Sequence, residues 1–417
     1  MRNLLRRASC VAGMLALLLI LEAGAQEWTR FRGPNGTGIS DAKGIPVAWT
    51  EKDFKWKVAT PGESHSQPVL WGDKIFLTSA VDQGKERMLL CFAKEDGKEL
   101  WTKKYPLPTH PPGNRYSGFA NGSPAVDKER VYACFVSAEQ FLVKAYDHEG
   151  KDVWSVNLGP FESQHGHGAS PIVYEEKLIV VNDQDGESSI VALEVKTGKT
   201  VWKCPRRGVK QNTAYGTPMI LERKGQPAII LTTSHSHGVS ALDPKIGSML
   251  WESPGIFDKR SVASPVVAGD LVFGSCGSGG GGNFMVAVHL GGKVAYTFKD
   301  KIDKKEIAPY VPTPITLGNR LFAVGDSGVA FCLEASSGKE IWKETLLTAG
   351  NFFCSPILID GKIYCCSTKG EMIVFAAADQ FKLLARNPVG EGSHSTPCVD
   401  GDRLYLKTFT HLVCIGK

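Results

Sequence analysis

Two His-x-His pairs stand out among the residues able to do chemistry: His165 and His167 in QHGHG, and His235 and His237 in SHSHG. Neutral imidazole is a common ligand for transition metals, so four such rings on loops are a candidate metal set. They lack the cysteine or carboxylate partners of an established zinc motif, and the same rings serve equally as channel-mouth groups hydrogen-bonded to neighbouring loops. Asp183 and Asp185, in NDQDG, resemble a fragment of a calcium loop, since a hard cation needs several oxygens from a tight turn. That segment lacks the full loop spacing and its closing glutamate, and Asp, Asn and Gly are also ordinary turn residues. The glycine run over 277–282 has no helix after it whose N-terminus would hold an anion, so a flexible connection is expected there.

Further candidates for ligand contact are His65, Arg115, Tyr116, Asn121, Tyr215 and His394, all in irregular segments. The chain has eleven cysteines, but Cys91, Cys332 and Cys414 occupy one repeat position, where other copies carry Ala145, Ala192, Ala241 and Ala287. A residue interchangeable with alanine acts as a small buried apolar group, so free buried thiols are expected rather than a disulfide framework. Cys365 and Cys366 are adjacent in KIYCCS, a strand pattern in which successive side chains leave opposite faces of the sheet.

The elements that must position these groups come from a repeat. A small residue, a proline, an apolar pair, a tight turn and a second apolar run recur around Pro68, Pro124, Pro171, Pro218, Pro265, Pro314, Pro356 and Pro397. The separations run from 41 to 56 residues, the period of a four-stranded propeller blade. Each phrase reads as a hairpin, strands A and B. A second hairpin, strands C and D, follows in most copies, with a turn glycine (Gly97, Gly150, Gly198, Gly247, Gly292, Gly338) and then an aromatic (Trp101, Trp154, Trp202, Trp251, Tyr296, Trp342). One large ring per repeat at one register is how neighbouring blades bury their contact. The seventh copy has Ala385 there and is expected to be the weakest. The eighth copy ends after strand C, and FKWKV, with Trp56 at the repeat position, supplies its strand D. The expectation is an all-β, eight-bladed β-propeller of four-stranded antiparallel blades, a single domain over 26–417, its last blade closed by the N-terminal strand.

This phrase of Ala-Leu-Asp, Thr-Gly-Lys and Trp joined to Ser-Pro strands resembles the pyrrolo-quinoline quinone (PQQ)-like propeller repeat across essentially the whole chain after residue 25. The opening WTRFRGPNGTGIS, with QHGHGASP and the NDQDG loop, resembles an exported, planctomycete-type subgroup of that family. The resemblance implies two roles. One is a non-catalytic binding or scaffold protein, like the propeller of the outer-membrane protein assembly machine. The other is a quinone-dependent dehydrogenase acting on an alcohol or sugar, which would use PQQ, calcium, an aspartate base and adjacent cysteines closed into a ring. Since Cys365 and Cys366 lie within a strand, and the chain is little longer than eight minimal blades, the non-catalytic reading is preferred.

In such a blade the D–A and B–C connections emerge on one face, and here they hold nearly all the irregular sequence, so function belongs on that face. Val262, Val311 and Phe353, three before their prolines, predict an apolar half over blades five to seven, opposite a polar arc of histidines, Arg115 and the aspartates over blades eight and one to four. Arg2, Arg6 and Arg7, the apolar run 11–21 and Ala23-Gly24-Ala25 read as a cleavable export signal over 1–25, too short for the about 20 residues that span a bilayer. No cysteine sits just after that apolar run, where a bacterial lipid anchor would attach. A periplasmic or extracellular monomer is expected, with a protein, glycan or small ligand as its partner. The formal charge of +5 is scattered along turns rather than gathered on one face, which argues against nucleic acid.

Overall fold

The computed structural model describes residues 28–107, 118–208, 213–302 and 304–416. The segment read as an export signal, and Arg115 and Tyr116, lie outside the described residues. Eight antiparallel sheets form blades 1 (69–106), 2 (125–157), 3 (172–206), 4 (219–252), 5 (266–298), 6 (315–345), 7 (357–388) and 8 (398–415 completed by 54–59). Blade 8 is closed as its sequence demands: strand Phe54–Ala59 pairs antiparallel with His411–Ile415, and Trp56 lies opposite Cys414. One small extra hairpin, Lys301–Ile302 with Lys305–Glu306, stands on the connection from blade 5 to blade 6.

The core lies between blades, since each sheet is apolar on both faces and buries them against its neighbours. Phe273 of blade 5 and Phe331 of blade 6 share one such layer, and Phe322 of blade 6 and Phe375 of blade 7 share the next. The repeat aromatic and the repeat glycine meet across these layers. The indole of Trp154 lies under Gly198 of the following blade, where a Cβ would come within 2.8 Å of the ring, and the indole N–H donates to Val195 O in the same turn. Trp56 and Gly97, Trp101 and Gly150, Trp202 and Gly247, and Tyr296 and Gly338 repeat the arrangement. Blade 7 departs from the expected weak contact. Blade 8 has no C–D turn to cover, because its strand D comes from the other end of the chain. Ala385 packs instead against the layer that holds Ile45 and Trp49 of the N-terminal segment, and the Trp49 indole donates to Pro388 O.

The small residue before each proline has its own task. Its backbone N–H donates to the hydroxyl of the equivalent residue one blade on: Gln67 to Ser123, Ser123 to Ser170, Ser170 to Thr217, Thr217 to Ser264, Ser264 to Thr313, Thr313 to Ser355 and Ser355 to Thr396. This belt satisfies amides at the innermost edge of the sheets, where no further strand pairs with them. The proline that follows has no N–H to lose there. At the seam Gln67 replaces the hydroxyl residue, and its amide donates to Pro397 O while its carbonyl accepts from Arg32 N.

That last bond belongs to a plug. Residues 28–40 run through the central channel beneath the belt and hydrogen-bond to blade after blade: Leu70 N to Trp28 O, Val126 N to Thr29 O and Leu358 N to Gly38 O. The Asn35 side chain donates to Ile220 O and accepts from Ile220 N. Ile39–Ser40 adds a short parallel strand to the inner edge of blade 7. Arg32 sits at the axis, fully buried, donating to Gly36 O, Thr37 O, Thr313 O, Pro314 O and Pro356 O. Burial lowers its pKa to about 9.

Candidate functional site

Above the plug the channel opens into a cup of about 750 Å3. Phe31 of the plug is in its floor. The belt hydroxyls of Ser170, Thr217, Thr313, Ser355 and Thr396 ring its lower wall, and the D–A and B–C connections form its upper wall. The irregular face thus carries the concave site, and the plug seals its lower end.

Of the ligand candidates read from the sequence, His65, Asn121, His165, Tyr215 and His394 line this cup. His65 and His394 face one another across the seam between blades 8 and 1, with Nε2 of the first 3.3 Å from Nδ1 of the second. Burial, then the neighbouring His394, lowers the pKa of His65 to about 3, so it is a neutral ring. The Tyr215 hydroxyl is 3.3 Å from Ser163 Oγ. Asn121 donates to His167 O at 3.5 Å.

The remaining candidates turn elsewhere. His167 is inserted edge-on between Phe141 and Phe161, and burial lowers its pKa to about 4. His235 Nδ1 meets Lys259 O at 3.0 Å. His237 is buried, with Nδ1 2.6 Å from Glu252 and Nε2 accepting from Arg207 N, which fixes the Nδ1–H tautomer. The four histidines do not converge, and among the described residues no three His, Cys, Asp or Glu side chains gather as a metal would require. Asp183, read as a cation ligand, is gripped at both carboxylate oxygens by Arg206, whose other donors reach Ser234 and Ser240. Asp185 accepts from Thr213 Oγ1 at 2.7 Å. Asp183 thus holds the guanidinium that joins blade 3 to blade 4, and Asp185 fastens the connection between them.

The apolar half expected over blades 5 to 7 is corrected by the structure. Val262, Val311 and Phe353 do line the cup, but Arg260, Lys304, Glu306 and Asp326 line it too. Reading only the position three before each proline missed a guanidinium two residues further upstream and an aspartate in the B–C turn of blade 6. Asp326 accepts from the backbone N–H of Tyr310 and Val311, and burial raises its pKa to about 7. Glu306 accepts from Gly282 N and lies 3.5 Å from Lys301. Neither Arg260 nor Asp326 belongs to a motif, so nothing short of ring geometry would single them out.

Cys365 and Cys366 do not fit the disulfide ring of a quinone site. They are free and buried, one in the layer facing blade 6 and the other in the layer facing blade 8. All ten described cysteines are free thiols.

A family model described as "Outer membrane protein assembly factor BamB" matches residues 85–344 and 304–410. The curated outer membrane protein assembly factor BamB of Moranella endobia (strain PCIT) is 22% identical over 365 residues, 82% of this chain and 83% of that protein. Among solved structures, BamB from Moraxella catarrhalis superposes with a TM-score of 0.59 at 17% identity, covering 87% of this chain and 96% of that one. A europium-containing methanol dehydrogenase gives 0.64 at 12% identity, covering 93% and 90%. At these identities the two structures attest the shared propeller and no more.

Proposed function

Because the chain belongs to the PQQ-like repeat family whose model is described as outer membrane protein assembly factor BamB, we propose that it is an exported, non-catalytic binding or scaffold protein of the cell envelope. It takes its partner on the irregular face. The observation that carries this reading is the sealed cup: with residues 28–40 closing the channel below, an occupant has one way in, and the side chains around it belong to the connections rather than to the blades. The same face carries Leu347, 84% exposed on a left-handed φ of +43°. A leucine held out to solvent at backbone cost is common at sites of recognition.

The test is site-specific photo-crosslinking in envelopes of the source cells. Probes at Phe353 in the cup and at Leu347 should each give one discrete adduct, and a probe at Ile246 in a C–D turn of the opposite face should give none. Adducts from Ile246 alone would overturn the reading. The family's other activity, a quinone-dependent dehydrogenase, has in its favour the cup itself and a carboxyl at Asp326 poised near neutrality. The cysteine ring and the cation carboxylates that would accompany the quinone are not met by Cys365, Cys366, Asp183 and Asp185. Melting with PQQ and calcium checks it, since a ligand at about 100 times its Kd adds about 2.7 kcal/mol of stability. The scaffold reading expects no shift and no dye reduction with alcohols or sugars.

A further inference from the structure

We propose that the cup takes a carboxylate-bearing peptide segment of the partner protein, with the Arg260 guanidinium as its anchor. This rests on the binding reading above and names the chemistry of what binds.

Arg260 is set apart from the other described arginines. Seven of them, Arg130, Arg206, Arg207, Arg223, Arg320, Arg386 and Arg403, are ion-paired. Arg30, Arg32 and Arg87 are buried and donate to backbone carbonyls. Arg260 has neither kind of partner among the described residues. One of its nitrogens donates to Gln164 Oε1 at 2.9 Å, and Tyr215 and Tyr310 line the cup with it. The D–A connections before blades 3, 4 and 6 thus line the cup around one uncompensated cation supplied by the connection before blade 5.

A guanidinium flanked by two phenols suits a carboxylate. The planar fork donates two parallel hydrogen bonds to the two oxygens. Both phenols keep their protons to donate, because burial raises their pKa values, that of Tyr310 to about 12. The acids on the same wall are already engaged: Glu306 by Gly282 N and Lys301, Asp326 by two backbone N–H groups. Lys304 adds a second positive charge to the lining. Phe31, Val262, Val311 and Phe353 offer apolar surface beside the cation, which suits an aromatic or aliphatic side chain next to the acid.

A peptide fits this site better than a free metabolite. The cup's 750 Å3 lies in the upper part of the range for small-molecule sites, about 300–1,000 Å3. The cup is open at its mouth rather than enclosed, and a small ligand would need a cover there. A segment whose remainder stays outside needs no such cover.

The experiment uses the full chain and two hexapeptide mixtures, randomised except for a final phenylalanine–glutamate pair with a free carboxyl terminus, or the same pair as phenylalanine–glutamine amide. Retention on the immobilised protein should favour the acidic mixture about tenfold. Arg260→Gln should abolish that preference, Arg260→Lys should recover part of it, and Tyr310→Phe should weaken it, while Arg320→Gln on the outer surface leaves it unchanged. Equal retention of both mixtures, retention of neither, or a preference that survives in Arg260→Gln would overturn the proposal. So would benzoate or PQQ displacing the acidic mixture at concentrations far below the peptides' own, which would assign the cation to a small acid. In each of these cases crosslinks from Phe353 and Leu347 would still uphold the binding face.

Discussion

Arg32 concentrates the energetics of the site in one side chain. A fully buried guanidinium without a carboxylate is costly, and here five backbone carbonyls offset that cost. Arg32→Ala strands those acceptors and should destabilise the chain by about 3–5 kcal/mol, read as a lower urea midpoint. Arg32→Lys, lacking the fork, should recover less than half. The buried histidines set the response to acid. Folding depresses the pKa of His65 to about 3 and of His167 to about 4, from an ordinary 6.5, so the unfolded chain takes up the proton first. Their contribution is complete above pH 6.5 and is lost as pH falls towards 4; His167→Gln should flatten the drop in urea midpoint between pH 7 and pH 5. Asp326 acts in the opposite sense, because its folded pKa of about 7 lies above the ordinary 3.8. Stability falls as pH rises between those values, so Asp326→Asn should raise the melting temperature at pH 8 and change it little at pH 4. At this scale the sequence was half legible. Register places His65, Asn121, His165, Tyr215 and His394 on the right face, but an extended loop does not disclose which side chains aim at the axis. His167, His235 and His237, two residues or one loop away, face into the blades.

The elements are held by pairings that the repeat encodes twice, once in the tryptophan and once in the glycine it covers. At Gly198 the backbone φ is +75° and a Cβ would meet Trp154. At Gly225 the φ is nearly the same, +74°, but the space is open. Gly198→Ala should therefore cost about 2–3 kcal/mol and Gly225→Ala about 1 kcal/mol, and the difference in melting temperature isolates the ring contact from the backbone strain. Strand order and blade count followed from the proline spacing, since a period of that length admits few other architectures. The hydroxyl belt was visible as a run of small residues before proline, yet its role was not, because bonds from one blade to the next have no signature within a repeat. Ala385 was misread for a related reason: what covers it comes from the far end of the chain.

At the scale of the whole ring, the first stretch of the described chain is spent on closure. Strand Phe54–Ala59 completes blade 8, and residues 28–40 close the channel. The strand was legible because it carries the repeat's own tryptophan. The plug was not, because WTRFRGPNGTGIS has no period and no apolar alternation to say where it lies. Its position is nevertheless what leaves the cup concave on one face. Hydrogen exchange on the full chain tests this most directly, read at the amides of Leu70, Val126 and Leu358, whose acceptors are the plug carbonyls of Trp28, Thr29 and Gly38. Protection equal to that of core amides such as Ile373 and Leu404, lost only on global unfolding, is the expected result. Exchange at those three amides as fast as at surface turns, while the core stays protected, would mean an open channel and would contradict a one-sided cup.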